Sequence, residues 1–446
     1  MKLLLSIAIT LLALGCNERT YTLSGEAMMK PEACAECHRS HYDEWRGSMH
    51  AYASEDPVFI AMNQRGQRET NGALGDFCVR CHAPLAVALG ETTDGLNLKE
   101  LPSHLQGVNC YFCHNVQEVA GTHNNPLVLA NDNVMRGGIS NPMRTKAHAS
   151  AYSPHLDGDN LASADLCGSC HDIVTPKGVH IERTFAEWKE TLYSKEDTQP
   201  FLTCTACHFE GINEVVASVP NAPVRRRHRH GAPGVDLALT DFPFAAEQRE
   251  EVQAALDSTL SAELCVYPDG SGANVVVTLE NIGAGHRWPS GSTPDRRAWV
   301  QVVARKEGAV LFESGVVPEG EALSSQDDPT LWIFRDWLLD AEGEEVSMFW
   351  EAESYRSQLL PGPTALSPLD PTYLETHVVR YYPVEGGIPD EVSIEVRIRP
   401  VGLDLIDDLI ESGDLDPKFR ARIPTLTLGS TQLTWRESDD VPCVPR

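Results

Sequence analysis

Cys34-Ala-Glu-Cys37-His38 sets the reading of this chain, because the same spacing returns four more times. The repeats are Cys78-Val-Arg-Cys81-His82, Cys110-Tyr-Phe-Cys113-His114, Cys167-Gly-Ser-Cys170-His171 and Cys204-Thr-Ala-Cys207-His208. Two thiols two residues apart can add to the two vinyl groups of a porphyrin, and the next residue brings an imidazole to its iron; this is the mount of a c-type haem. A chain of this composition holds about 0.01 such motifs by chance. Zinc is the plain alternative. Zinc ribbons join thiol pairs two by two into one tetrahedral site, but five pairs cannot be divided that way. Neither zinc nor a redox Cys-x-x-Cys site demands His after every second Cys. Five covalent haems are the expected cofactors. Cys34, Cys37, Cys78, Cys81, Cys110, Cys113, Cys167, Cys170, Cys204 and Cys207 would attach them, and His38, His82, His114, His171 and His208 would be the proximal iron ligands.

The formal charge of −28 over 446 residues excludes a nucleic-acid surface, which needs Lys and Arg. Redox partners that are basic or weakly charged suit such a surface. Met1-Lys2 opens the chain and an apolar run, Leu3 to Leu14, follows. It is too short to span a bilayer and has the form of an export signal. Leu12-Ala13-Leu14-Gly15-Cys16 resembles a bacterial lipoprotein signal, although Ala13 stands where Leu is usual. Residues 1–15 are then a signal, and 16–30 a tether from a lipid on Cys16. The expected location is periplasm-facing or outer-surface, anchored to the membrane. Beyond Cys16 and the ten mount thiols, only Cys265 and Cys443 remain. An oxidising compartment permits a disulfide between them, and two buried thiols are the alternative.

All five mounts lie within residues 31–245, so the porphyrins themselves would supply much of the apolar core. The connecting chain reads as short helices and loops. Helical pieces stand at His41 to Trp45 and Thr184 to Lys189, whereas Gly137-Gly138, Asn141-Pro142 and Ser153-Pro154 mark turns. Residues 246–258 read as a linker helix. From 259 to 446 the pattern becomes short strands between turns: Asn274–Glu280, Ala298–Ala304, Val310–Ser314, Leu331–Arg335, Met348–Trp350, His377–Tyr382, Val392–Ile398 and Leu426–Leu428. One helix, Leu403 to Glu411, interrupts them. The fold class expected is multidomain: a mostly α and irregular pentahaem domain followed by an antiparallel β-sandwich.

The sixth position of each iron separates a carrier from a catalyst. Eleven histidines lie outside the mounts, a surplus over five. His50 ends a helical segment, His123 sits on a Gly-rich turn after the third mount, and His148 precedes the fourth. His228 and His230 belong to Arg225-Arg-Arg-His-Arg-His230-Gly. One of them would be a ligand, with the arginines pairing haem propionates. His286 lies in Gly283-Ala-Gly-His286-Arg-Trp-Pro-Ser-Gly291, a stiff loop between strands that can reach back to a haem. Met135 and Met143 are weaker candidates, better read as loop methionines.

The surroundings of the mounts also resemble a family. Ala35-Glu-Cys-His, then Tyr42-Asp-Glu-Trp45 and Ser48-Met-His50, resembles the opening of multihaem c-type cytochromes related to the nitrifier tetrahaem cytochrome and hydroxylamine oxidoreductase. Gly107-Val-Asn-Cys110-Tyr-Phe-Cys-His114-Asn-Val and Leu166-Cys-Gly-Ser-Cys-His-Asp172, with Glu182-Arg-Thr-Phe-Ala-Glu-Trp188, are similar to later mounts of that superfamily. Gly285-His286-Arg-Trp-Pro-Ser-Gly291 resembles a loop of the all-β domain in some members. The resemblance implies closely paired haems with His50, His123 and His148 as distal ligands, and leaves open one catalytic iron. No Cys-x-x-Cys-Lys mount is present, there are five mounts rather than eight, and no crosslinking Tyr can be assigned.

The leading expectation is an electron carrier with mostly bis-His haems and no catalytic residues, exchanging electrons with membrane-associated redox proteins. The alternative is a reductase or oxidase of a small nitrogen or sulfur compound at one open haem. A third reading has the β domain docking the protein into a larger assembly.

Overall fold

The computed structural model describes residues 21–196 and 201–439. The stretch expected to be a signal, the expected tether up to residue 20, Cys16 and Cys443 lie outside them. Cys265 is disulfide-bonded, and its partner is none of the ten mount thiols, which are free.

The haem-motif half is built from helices of four to thirteen residues and four two-stranded sheets. Polar caps start these helices where the chain needs them. Asn109 accepts from the Phe112 N–H to open Cys110–His114, and Thr203 accepts from Ala206 N–H to open Cys204–His208. Asp56 caps Pro57–Glu69 through Val58 and Phe59, with Pro57 at the first helical position.

After the helix Ala245–Asp257 the chain becomes a pair of antiparallel sheets. The smaller has the order His377–Val384, Gly272–Asn281, Leu260–Asp269. The larger has eight strands and centres on Arg297–Lys306 and Glu391–Arg399, which pair from Arg297↔Arg399 to Arg305↔Glu391. Strict alternation in the latter puts Val392, Ile394, Val396 and Ile398 on one buried face. That face, Val300 and Val302, and Val275, Val277 and Leu279 of the smaller sheet share one apolar cluster, which the linker helix closes with Val252 and Leu256. Such burial of β-branched side chains is the main driving force for this half.

The two halves are packed together. On Pro57–Glu69, Val58 and Ala61 join Met348, Leu405, Ile406 and Leu409, the last three from the helix Leu403–Glu411. Arg68 forks onto Asp414 beside this contact. Met348–Trp350, expected as a strand, is a turn. Met348 and Trp350 serve this helix contact instead, with the Trp350 ring against Gly66, while Phe349 packs with Val179, Leu338 and Ala352. The strand Ser354–Gln358 was not anticipated, because all five residues are exposed and carry no alternation.

Candidate haem-binding site

One continuous cavity of about 1620 Å³ runs through the haem-motif half and is lined by both cysteines and the histidine of every mount. It reaches the sheets as well, where His286, Trp288 and Arg296 line it. A protein interior normally leaves few voids larger than a water. A cavity of this size lined by ten free thiols and five imidazoles fits covalently mounted porphyrins. Among the described residues no three His, Cys, Asp or Glu side chains gather as a bare metal site.

The mount imidazoles are oriented by their other ring nitrogen. Nδ1 of His38 donates to the Val216 carbonyl at 2.8 Å, His82 to Ala53 at 2.8 Å, His114 to Arg136 at 2.5 Å and His208 to Pro233 at 2.8 Å. A carbonyl only accepts, so Nδ1 carries the proton and Nε2 keeps the lone pair a metal needs. His171 differs: its Nδ1 partner is the Glu182 carboxylate at 3.1 Å, delivered by the hairpin Ile173–Val174 and His180–Glu182. Burial opposes charge on His171, but Glu182 together with the neighbouring thiols outweighs it and raises the ring to about 9. Burial lowers His50 and His286 to about 4, so both stay neutral at physiological pH.

Four mount imidazoles have a second imidazole at nearly one spacing. The ring centres are 6.3 Å apart for His38 and His148, 6.3 Å for His114 and His230, 6.3 Å for His171 and His50, and 6.5 Å for His208 and His286. Metal-bound imidazole nitrogens lie about 2 Å from the metal, so two rings sharing one metal have centres about 6 Å apart. The second rings His148, His230 and His286 also bond backbone carbonyls through Nδ1. His82 has no such partner among the described residues; the Phe59 ring stacks on it at 3.9 Å instead.

His50 is placed by a glycine. Gly107, at φ +66°, lies against the carbonyls of His50 and Ala51, where a Cβ would collide, and Val108 N–H donates to the His50 carbonyl at 2.8 Å. His286 is clamped from both sides: Asn281 donates to its carbonyl at 2.6 Å, and Thr191 donates to the Gly285 carbonyl at 3.3 Å. Further along the loop, Ser290 donates to Glu187 at 2.6 Å.

The other expected ligands stand elsewhere. His123 is exposed and does not line the cavity; its loop packs on the Ile173–Val174 strand through Asn124. His228 lines the cavity, with Nδ1 on the Phe209 carbonyl at 2.5 Å, but no mount imidazole faces it at the common spacing. Arg225 and Arg226 border the cavity. Arg227 is committed to Glu44 and Glu214. Met135 and Met143 line the cavity too. Sequence reasoning did not find Glu182 or Phe59 as neighbours of mount histidines; nothing local marks them.

Proximity of thiols shows which mounts adjoin. Cys34 lies near Cys110, Cys81 near Cys170, and Cys167 near both Cys204 and Cys113. The first mount is therefore beside the third, the third beside the fourth, and the fourth beside both the second and the fifth.

Residues 33–115 match a family model described as cytochrome c554 and c-prime. No curated protein matches the chain. Among solved structures, the chain is similar to a penta-haem cytochrome c552 from Thermochromatium tepidum, at 20% sequence identity and a TM-score of 0.61, over 89% of this chain and 96% of that one. At that identity the likeness is one of fold. Both similarities agree with a multihaem c-type cytochrome.

Proposed function

We propose that the protein is an exported electron carrier holding five c-type haems, four closed by two histidines and one with an open side. The observation that carries this reading is the repeated 6.3–6.5 Å spacing of paired imidazoles inside one thiol-lined cavity. His38 with His148, His114 with His230, His171 with His50, and His208 with His286 would hold the closed irons. His230 rather than His228 takes the basic-run position, and His123 takes none. When bound, the irons supply one-electron exchange. The chain's residues fix the tautomer of each imidazole, exclude water and set the neighbour order. That order is first, third, fourth, fifth, with the second as a side branch on the fourth. At the four closed irons two histidines would leave nothing to bind or release, which suits a carrier. Glu182 makes His171 a more basic ligand than the carbonyl-bonded imidazoles. The two sheets would form a sandwich whose Gly283–Gly291 loop completes the fifth site. A lipid on Cys16 would keep the wire at a membrane, near membrane-associated donors.

A second reading has one specific support: among the described residues no imidazole stands opposite His82. A small nitrogen or sulfur compound could react there. Mass spectrometry of protein matured in a competent periplasm, with its ferric electron-spin spectrum, tests the proposal. Five added haems with four low-spin centres and one high-spin centre are expected. A mass equal to the bare polypeptide overturns it. Turnover of nitrite, hydroxylamine or tetrathionate that tracks the high-spin centre favours the second reading.

A further inference from the structure

We propose that loop 361–376 and its surroundings form a docking face for a small, basic, monohaem c-type cytochrome, seated beside the fifth mount. The inference rests on the functional reading above, since it needs a haem at that mount. It starts from a break in the surface pattern. The chain carries 64 acidic residues, yet Leu366, Leu369 and Leu374 are 62%, 94% and 63% exposed within a single loop. From 361 to 379 there is no Lys or Arg, and the only charges are Asp370 and Glu375. Single exposed leucines need no explanation, but three on one loop, one of them almost wholly bare, mark a contact surface.

Both ends of the loop are fixed beside the fifth mount. At its start, Leu192 N–H donates to the Pro363 carbonyl at 3.0 Å, and Gly362 lies against Thr191 and the His286 carbonyl. At its end, His377 pairs with Glu280, two residues before Ile282. Ile282 is itself exposed, and its carbonyl accepts from the Tyr193 hydroxyl at 2.8 Å. Tyr193 lines the same cavity as Cys207, the one mount thiol that is exposed, and its carbonyl accepts from the Leu202 N–H. Leu202 is exposed too. The loop that carries the three exposed leucines is thus tied at both ends to elements beside the mount whose thiol is exposed.

The chemistry of the occupant follows from charge. The loop itself is apolar and nearly uncharged, which fits the apolar rim of a cofactor edge, and the chain as a whole carries a formal charge of −28, whose long-range field favours a basic partner. The chain's net negative charge steers the encounter, and the leucines supply the short-range contact.

The test is isothermal titration of the fully oxidised, haem-loaded protein with an oxidised basic monohaem cytochrome c, so that binding is read without electron flow. Replacing all three leucines (L366S/L369S/L374S) should raise Kd about tenfold, the loss of a modest hot spot. V310S, at an exposed valine of the larger sheet, should leave Kd unchanged. Added salt should weaken wild type and triple variant in parallel, because the substitutions leave the net charge unchanged. Haem count and far-UV circular dichroism verify folding. An unaltered Kd in a fully loaded triple variant overturns the docking face alone; a wild type without haem overturns the functional reading and this inference with it. Two other results also refute the face, each with Kd unchanged. One is vesicle binding by wild type, on neutral phosphatidylcholine, that the triple variant loses. The other is a wild-type dimer that the variant loses.

Discussion

Removing Arg183 should cost the protein about 3–5 kcal/mol, the penalty for stranding a buried charge. Arg183 joins the two halves: its guanidinium meets Asp336 at 2.7 Å and Glu187 at 3.6 Å, and lies 4.3 Å over the Tyr355 ring. Asp336 is fully buried, and beyond Arg183 its side chain accepts only from Thr293, at 2.6 Å. One of its oxygens has no partner. In Arg183→Ala the carboxylate would keep its desolvation penalty and lose its counter-charge. An attraction of about 4 kcal/mol, for two charges about 4 Å apart at an intermediate effective dielectric, has the same size. The assay is urea unfolding of the haem-loaded protein followed by far-UV circular dichroism. The double variant R183M/D336L should cost far less than Arg183→Ala, because it removes both charges. A loss below about 1 kcal/mol would mean that the pair behaves as a solvated surface bridge, and the reasoning would fail. It would fail equally if the double variant were as damaging as the single one.

Three further outcomes follow from the site. His286→Ala should convert one low-spin ferric signal to high-spin, and His123→Ala should convert none; an unchanged spectrum in the first removes His286 from the ligand set. Burial, opposed by the Ser290 hydrogen bond and Arg183, raises Glu187 from its ordinary 4.5 to about 7. Its stabilising share is therefore complete below pH 4.5 and is lost as pH rises through about 7. Glu187→Gln, which does not titrate, should gain about 3 kcal/mol on the wild type between those limits, read from urea midpoints across pH; parallel profiles would contradict this. Gly107→Ala should cost more than about 1 kcal/mol and disturb the fourth-site low-spin signal, since both the positive φ and the His50 carbonyl exclude a Cβ.

The mounts were legible because a haem mount is local: Cys34 to His38 is complete within five residues, wherever the chain later goes. The main strands were legible for a similar reason. Val392 to Ile398 alternates because one face is buried and the other is not. Local apolar runs misled where tertiary contact had other uses, as at Met348–Trp350. The distal histidines show the limit most clearly. His50 follows the first mount yet faces the fourth, and His230 follows the fifth yet faces the third. His123 is near the third mount in sequence and outside the cavity in space.

By itself the sequence determined the number and spacing of the Cys-x-x-Cys-His motifs and the change from helical to strand pattern after residue 257, all of which are properties of short segments. Only the tertiary structure decided which imidazole faces which, that His82 has no second imidazole opposite it among the described residues, and which motifs adjoin. Those are meetings of residues tens to more than a hundred positions apart. They are set by how the helices and sheets pack together, and no short stretch of chain encodes them.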